Sequence, residues 1–234
     1  MKAANYAART DVGKIREHNE DNYCVNQDLG LYVVADGMGG HASGEVASEI
    51  AVTAIEQRVK QGDSLVEAIE IAHLAIVKGV ETGAGKSGMG TTIVAVQLKD
   101  DAYTLAWVGD SRAYLWGDAF LQISKDHSLV QMLLDSGQIT EAEARVHPRK
   151  NIIYQNLGAV EVENLQVSMK QGILYKGQKI ILCSDGLSDE VDDEQMREII
   201  AQANGDEEIA EKLVDAAIDN GGNDNVSVIV ISIR

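Results

Sequence analysis

Proline occurs once in the chain, at Pro148, and cysteine only twice, at Cys24 and Cys183. With a single proline and no serine-rich tract, nothing in the 234 residues reads as a linker, and the length suits one domain spanning 1–234. The two cysteines form no CxxC pair and each lies in an apolar stretch. That excludes a disulfide scaffold and predicts reduced core thiols. No apolar run approaches the roughly 18 residues of a membrane-spanning helix. The opening Met1-Lys2-Ala3-Ala4-Asn5-Tyr6 lacks the apolar core of a secretion signal. A cytoplasmic location is therefore expected. Positive charge is scarce as well: 20 Lys and Arg stand against 37 Asp and Glu, a net charge of −17. So acidic a chain repels nucleic acid and anionic membrane surfaces, and neither is expected as a partner. Apolar residues, at 45%, still suffice for a packed core. The acidity itself has two readings: a solubilising surface, or carboxylates that converge on cations.

Periodicity orders the chain. Residues 5–10, 22–26 and 31–35 are short apolar strands separated by turn residues. The period then changes over 42–60, where Val46, Ile50, Ala54 and Ile55 share one helical face. Ser64 with Glu67 forms a capping box that opens a second helix. Strands follow at 91–98, 102–108, 112–116 and 120–123, and again at 165–169 and 179–183. Asp192 with Gln195 starts a helix to about residue 203, a further helix covers 206–219, and residues 225–233 alternate as a closing strand. Strands cluster and helices come in consecutive pairs, which favours stacked antiparallel sheets over a doubly wound fold. Residues 124–157 hold two short helical turns and few large apolar residues, and are expected to form a mobile flap. Arg145, Arg149 and Lys150 concentrate positive charge there.

The run Gly83-Ala84-Gly85-Lys86-Ser87-Gly88 matches GxGxxG by letters. A dinucleotide fingerprint needs a strand before it and a helix after it, and here the order is reversed. It reads as a connection. More informative is the placement of acids. Asp36 follows Leu31-Tyr32-Val33-Val34-Ala35 and precedes Gly37. Asp185 follows Ile180-Ile181-Leu182-Cys183-Ser184 and precedes Gly186. Asp224 stands before Val226-Ser227-Val228-Ile229, and Asp21 before Tyr23-Cys24-Val25. One such Asp at a strand end is ordinarily a turn. Four of them, if the strand ends meet, repel one another in a partly desolvated cleft, and divalent cations relieve that repulsion. All-oxygen ligands select hard ions such as magnesium or manganese over zinc. A pair of such ions activates water and stabilises displacement at phosphorus. Arg16, five residues before Asp21, is the candidate phosphate clamp; its other reading is a solvated loop arginine.

Seven strings in order carry a family resemblance: Arg16-Glu17-His18-Asn19-Glu20-Asp21, Val34-Ala35-Asp36-Gly37-Met38-Gly39-Gly40-His41, Gly88-Met89-Gly90-Thr91-Thr92, Val108-Gly109-Asp110-Ser111-Arg112, Lys125-Asp126-His127-Ser128, Ser184-Asp185-Gly186-Leu187 and Gly222-Asn223-Asp224-Asn225-Val226-Ser227. Over nearly the whole chain they resemble the type 2C (PPM) metal-dependent Ser/Thr protein phosphatases. The bacterial branch is the nearer through Asp36 to His41 and His147-Pro148-Arg149-Lys150-Asn151. The resemblance implies an α+β, four-layer α/β/β/α sandwich of two antiparallel sheets flanked by helix pairs. It implies two core Mn2+ or Mg2+ ions, with Asp36 bridging them, the Gly37 carbonyl binding one, and Asp185 and Asp224 completing the other's shell. Glu20 and Asp21 match positions at or near the metals, partly through water; many bacterial members carry Gln in place of Glu20. Asp126 matches the flap aspartate of a third, weaker metal, helped by Asp189, and Arg16 matches the phosphate-binding arginine. Animal relatives have a proton-donating histidine where this chain has Met38; His41 reads either as that acid or as a loop hydrogen-bonding group. Asp110 is expected to be a structural turn residue paired with Arg112. Phosphorylated proteins, including a Ser/Thr kinase or its targets, are the implied partners of a monomeric enzyme. A catalytically weak phosphatase-like scaffold or binding module is the alternative.

Overall fold

The computed structural model describes residues 4–39, 43–159 and 165–233. Three strands open the chain, β1 (Ala4–Asp11), β2 (Asp21–Asn26) and β3 (Leu31–Met38), before helices α1 (Ser43–Gln61) and α2 (Leu65–Glu81). There follow β4 (Gly90–Thr91), β5 (Ile93–Lys99), β6 (Ala102–Val108), β7 (Arg112–Trp116) and β8 (Phe120–Gln122). Short helices α3 (Leu129–Asp135) and α4 (Glu141–Arg145) lead to β9 (Ser168–Ile173) and β10 (Lys179–Cys183). Helices α5 (Asp185–Ser188), α6 (Asp193–Gln202) and α7 (Asp206–Asn220) precede the last strand, β11 (Val226–Ile233). One sheet runs β1-β11-β10-β7-β8; the other runs β2-β3-β5-β6-β9, with β4 beside β3. Every pairing is antiparallel.

The strand alternation assigns each face to a layer. On β3, Leu31, Val33 and Ala35 pack with Ala51, Ile55, Ile69 and Ile76 of α1 and α2. The intervening Tyr32 and Val34 meet Ile229, Ile231 and Leu182 of the other sheet. On β11, Val226, Val228 and Val230 turn outward against Met196, Ile209, Leu213 and Ala217 of α6 and α7. Both sheets are thus covered on both faces, which is why their central strands carry apolar residues toward both layers. The result is the expected four-layer α/β/β/α sandwich.

Local signals hold at the helix starts. The Ser64 hydroxyl accepts from Glu67 N–H at 3.3 Å, and the Glu67 carboxylate accepts from Ser64 N–H at 3.0 Å. Asp192 caps α6 through Gln195 N–H at 2.8 Å. Two strands differ from expectation. The stretch 91–98 breaks at Thr92, because that residue's backbone and hydroxyl are diverted to hold Asp36. The strand expected at 165–169 lies instead at Ser168–Ile173. It is a half-exposed edge strand with a weak apolar pattern, whereas Leu165 and Val167 pack against the α1–α2 core. Both cysteines are free thiols, as their spacing implied.

The backbone entering the 124–157 segment is well anchored. Trp107 Nε1–H donates to Lys125 O at 2.7 Å, and His127 N–H donates to Gly109 O at 2.9 Å. At its other end Leu157, fully buried, exchanges backbone hydrogen bonds with Thr91. Between these anchors Met132, Val146, Ile152 and Tyr154 are exposed.

Candidate metal centre

The sandwich brings the starts of β2 and β11 and the ends of β3 and β10 to one edge. Asp21 and Asp36 are direct cross-strand partners. The Asp36 backbone is held on both sides: its N–H donates to Thr92 Oγ1 at 3.2 Å, and its carbonyl accepts from Thr92 N–H at 2.8 Å and Thr91 Oγ1 at 2.9 Å. Next to it Gly37 N–H donates to Glu20 O at 3.2 Å. Gly37 has to be glycine because a Cβ there would overlap the carbonyl oxygens of Gly44 and Glu20, so the start of α1 sits directly on the end of β3. Gly37→Ala is expected to force these backbones apart and cost roughly 3 kcal/mol of stability, read by urea unfolding.

The other acids arrive from the second sheet. Asp185 opens α5, immediately after β10, and its charge acts on the Asp36 carboxyl. Asp21 Oδ2 accepts from Ser184 Oγ at 2.7 Å, and Ser184 Oγ in turn accepts from Ser227 N–H at 2.9 Å. Asn225 ties the start of β11 to the β1–β2 loop at three points: its Oδ1 accepts from Glu20 N–H, and its Nδ2 donates to the Val12 and His18 carbonyls. Asp224 Oδ1 accepts from Asn225 N–H, and Asp224 Oδ2 accepts from Arg16 Nη2 at 2.7 Å. Arg16 is half exposed.

Burial and like charge make Asp21, Asp36 and Asp185 unfavourable together as free carboxylates. Desolvation, followed by the charges of Asp185 and Asp21, pushes Asp36 well above the usual carboxylate range. Asp21 is pushed up to about 7, mainly by burial, although Ser184 works against the shift. Asp185 is raised to about 6 by burial and by Asp189. Asp21 Oδ1 and Asp185 Oδ1 are buried without any hydrogen-bond partner. Buried, unpartnered, mutually repelling carboxylate oxygens are the donor set that hard divalent cations satisfy, so the residues present fit such ions. Among the described residues, no three acidic, His or Cys side chains are already closed around one point as a finished cage.

The remaining expected residues divide. Asp126, Asp185 and Asp189 line a cleft of about 700 Å³ between α3–α4 and the start of α6. Asp189 Oδ2 is engaged by Lys150 Nζ at 2.6 Å. The expected Asp110–Arg112 pair is not the one formed: Arg112 bonds Asp126 instead. Asp110 faces the acid cluster, where burial and the charges of Asp185 and Asp126 raise it well above its ordinary value. Its position at a strand end, beside a glycine, is the same signal that marked the other four aspartates. Met38 Sδ accepts from Asn156 Nδ2 at 3.2 Å, and His41 lies outside the described residues.

An acidic, all-oxygen cluster at the edge of two stacked sheets, with an arginine beside Asp224, is the donor set that hard divalent cations and a phosphate group suit. The chain belongs to the protein phosphatase 2C family, whose model matches residues 16–216. It is 39% identical to the serine/threonine phosphatase stp of Listeria innocua, over 95% of this chain and 93% of that protein. It is 40% identical to the serine/threonine protein phosphatase PstP of Mycobacterium tuberculosis, over 97% of this chain but only 45% of that longer protein. The solved catalytic domain of PstP in complex with two manganese ions superposes with a TM-score of 0.88 at 36% identity, covering 98% of both chains.

Proposed function

We propose that this chain is a protein serine/threonine phosphatase, a single domain over 1–234 that hydrolyses phosphoserine and phosphothreonine on proteins and so opposes Ser/Thr kinases. The observation that carries the reading is the Asp21–Asp36–Asp185–Asp224 cluster with its unpartnered buried oxygens, on a family fold whose relatives bear that name. Asp36, the Gly37 carbonyl, Asp185 and Asp224 would hold two Mn2+ or Mg2+ ions, with Asp21 and Glu20 beside them and Asp126 and Asp189 across the cleft. Those ions supply Lewis acidity, lowering the pKa of water and offsetting charge that develops at phosphorus. The chain's own residues do the rest. Thr91 and Thr92 fix the Asp36 backbone, Ser184 orients Asp21, and Arg16, beside Asp224, offers a planar fork to phosphate oxygens. Met38 has no proton to give. A cytoplasmic monomer with a mobile flap at 124–157 completes the proposal; the family relationship and Asp36, Asp185 and Asp224 weigh against a mere scaffold.

The test is phosphate release from p-nitrophenyl phosphate with and without manganese, combined with a search for a phosphorylated side chain. Manganese-dependent release with no covalent intermediate supports the reading; a trapped phosphoenzyme contradicts direct attack by water. Arg16→Ala is expected to raise KM for the ester about tenfold while kcat changes less than about threefold, because a phosphate clamp mainly contributes to binding. A fall in kcat alone would remove that role.

A further inference from the structure

The Asp126 carboxylate is held by side chains that the proposed chemistry does not otherwise use. Arg112 Nε donates to its Oδ1 at 3.1 Å and Oδ2 at 3.0 Å, and Arg112 Nη2 donates to Oδ2 at 2.7 Å. Gln122 Nε2 donates to Oδ1 at 2.8 Å. The arginine is itself seated: its Nη1 donates to the hydroxyl of Tyr114, a fully buried residue whose ring stacks on Phe120 at 4.9 Å. Asp126 is only 5% exposed, yet it lines the cleft with Asp110 and Asp185.

These bonds are not needed to attach the chain segment. Ile123 N–H bonds Ala113 O at 2.7 Å, Ser124 Oγ accepts from Ala113 N–H at 2.9 Å, Trp107 holds Lys125 O and Gly109 O holds His127 N–H. The backbone on both sides of Asp126 is therefore fixed without Arg112. What Arg112 adds is the orientation of the carboxylate and a compensating charge beside two other buried acids. Three bonds from one planar fork define that orientation in a way a lysine ammonium does not.

We infer that Arg112 is a positioning residue for catalysis, which presents the Asp126 carboxylate to the reacting centre in one orientation. The inference rests on the phosphatase reading, and Arg112 acts through Asp126, not on substrate.

Arg112→Lys keeps the charge and tests the orientation. On p-nitrophenyl phosphate with manganese, kcat is expected to fall about tenfold or more while KM stays within about threefold, since small misplacements of a positioned group cost that much. Manganese binding by titration calorimetry to the two tight sites is expected to stay within about threefold of wild type, and the melting temperature within a few degrees. The double variant Arg112→Lys with Asp126→Asn should be no slower than Asp126→Asn alone, because the two residues act as one unit. Wild-type kcat in Arg112→Lys overturns the inference, as does a further tenfold loss in the double variant. A wild-type chain without manganese-dependent turnover refutes the phosphatase reading instead. The crystal structure of Arg112→Lys then decides the positioning claim by itself: a rotated Asp126 carboxylate supports it and an unmoved one overturns it.

Discussion

Asp36→Asn is expected to remove turnover by about a thousandfold or more while leaving a folded and, in chelator, more stable protein. The two effects have one cause. Asp36 stands opposite Asp21 across the β2–β3 ladder and within electrostatic reach of Asp185, so its charge acts on both neighbours. In the proposed site that charge stands between Asp21 of one sheet and Asp185 of the other and would serve both cations. Without them the same charge is a burden, since burial and its neighbours oppose its ionisation. Asn keeps the shape, and the backbone bonds to Thr91 and Thr92 do not involve the side chain. Steady-state kinetics and melting scans in chelator check the pair of effects. Near-normal turnover of Asp36→Asn at moderate manganese would refute the bridging role, and a lower melting temperature in chelator would refute the repulsion argument.

The second large effect is on stability against pH. Asp21, raised to about 7, and Asp185, raised to about 6, hold protons in the folded, cation-free protein that an unfolded chain releases near pH 4. Their contribution is complete below about pH 4 and is lost as pH rises through 6 and 7. The Asp21 proton alone is worth on the order of 4 kcal/mol over that span, which is roughly 10 °C for a domain of this size. Manganese must displace those protons, so its stabilising effect should be small at pH 5 and large at pH 7.5. Melting temperatures at the two pH values, with chelator and with manganese, test this. Asp21→Asn should flatten the chelator curve. A cation-free protein that becomes more stable between pH 5 and pH 7.5 contradicts the account.

Much of this was legible from the chain alone, for physical reasons. Strands such as residues 226–233, with Val228-Ile229-Val230-Ile231 apolar without a break, announce a sheet covered on both faces, and capping residues such as Ser64 and Asp192 mark helix starts within a residue. Acids at strand ends announced the cluster, because few other placements bring four aspartates together. What escaped were contacts that depend on distant partners. The pairing of Arg112 with Asp126 rather than Asp110 follows from how β7, β8 and the loop after β8 stack. The hub role of Asn225 requires the β1–β2 loop to lie beside the start of β11. The displaced strand β9 has an edge position and a mixed surface, so its sequence carries little periodic signal.

The most direct test of the central claim is phosphate release from a phosphothreonine peptide by the wild-type chain, measured after exhaustive chelation and again after manganese is returned. Release that vanishes on chelation and returns with manganese is the predicted result. Release that persists at full rate once divalent metal has been removed would contradict the account.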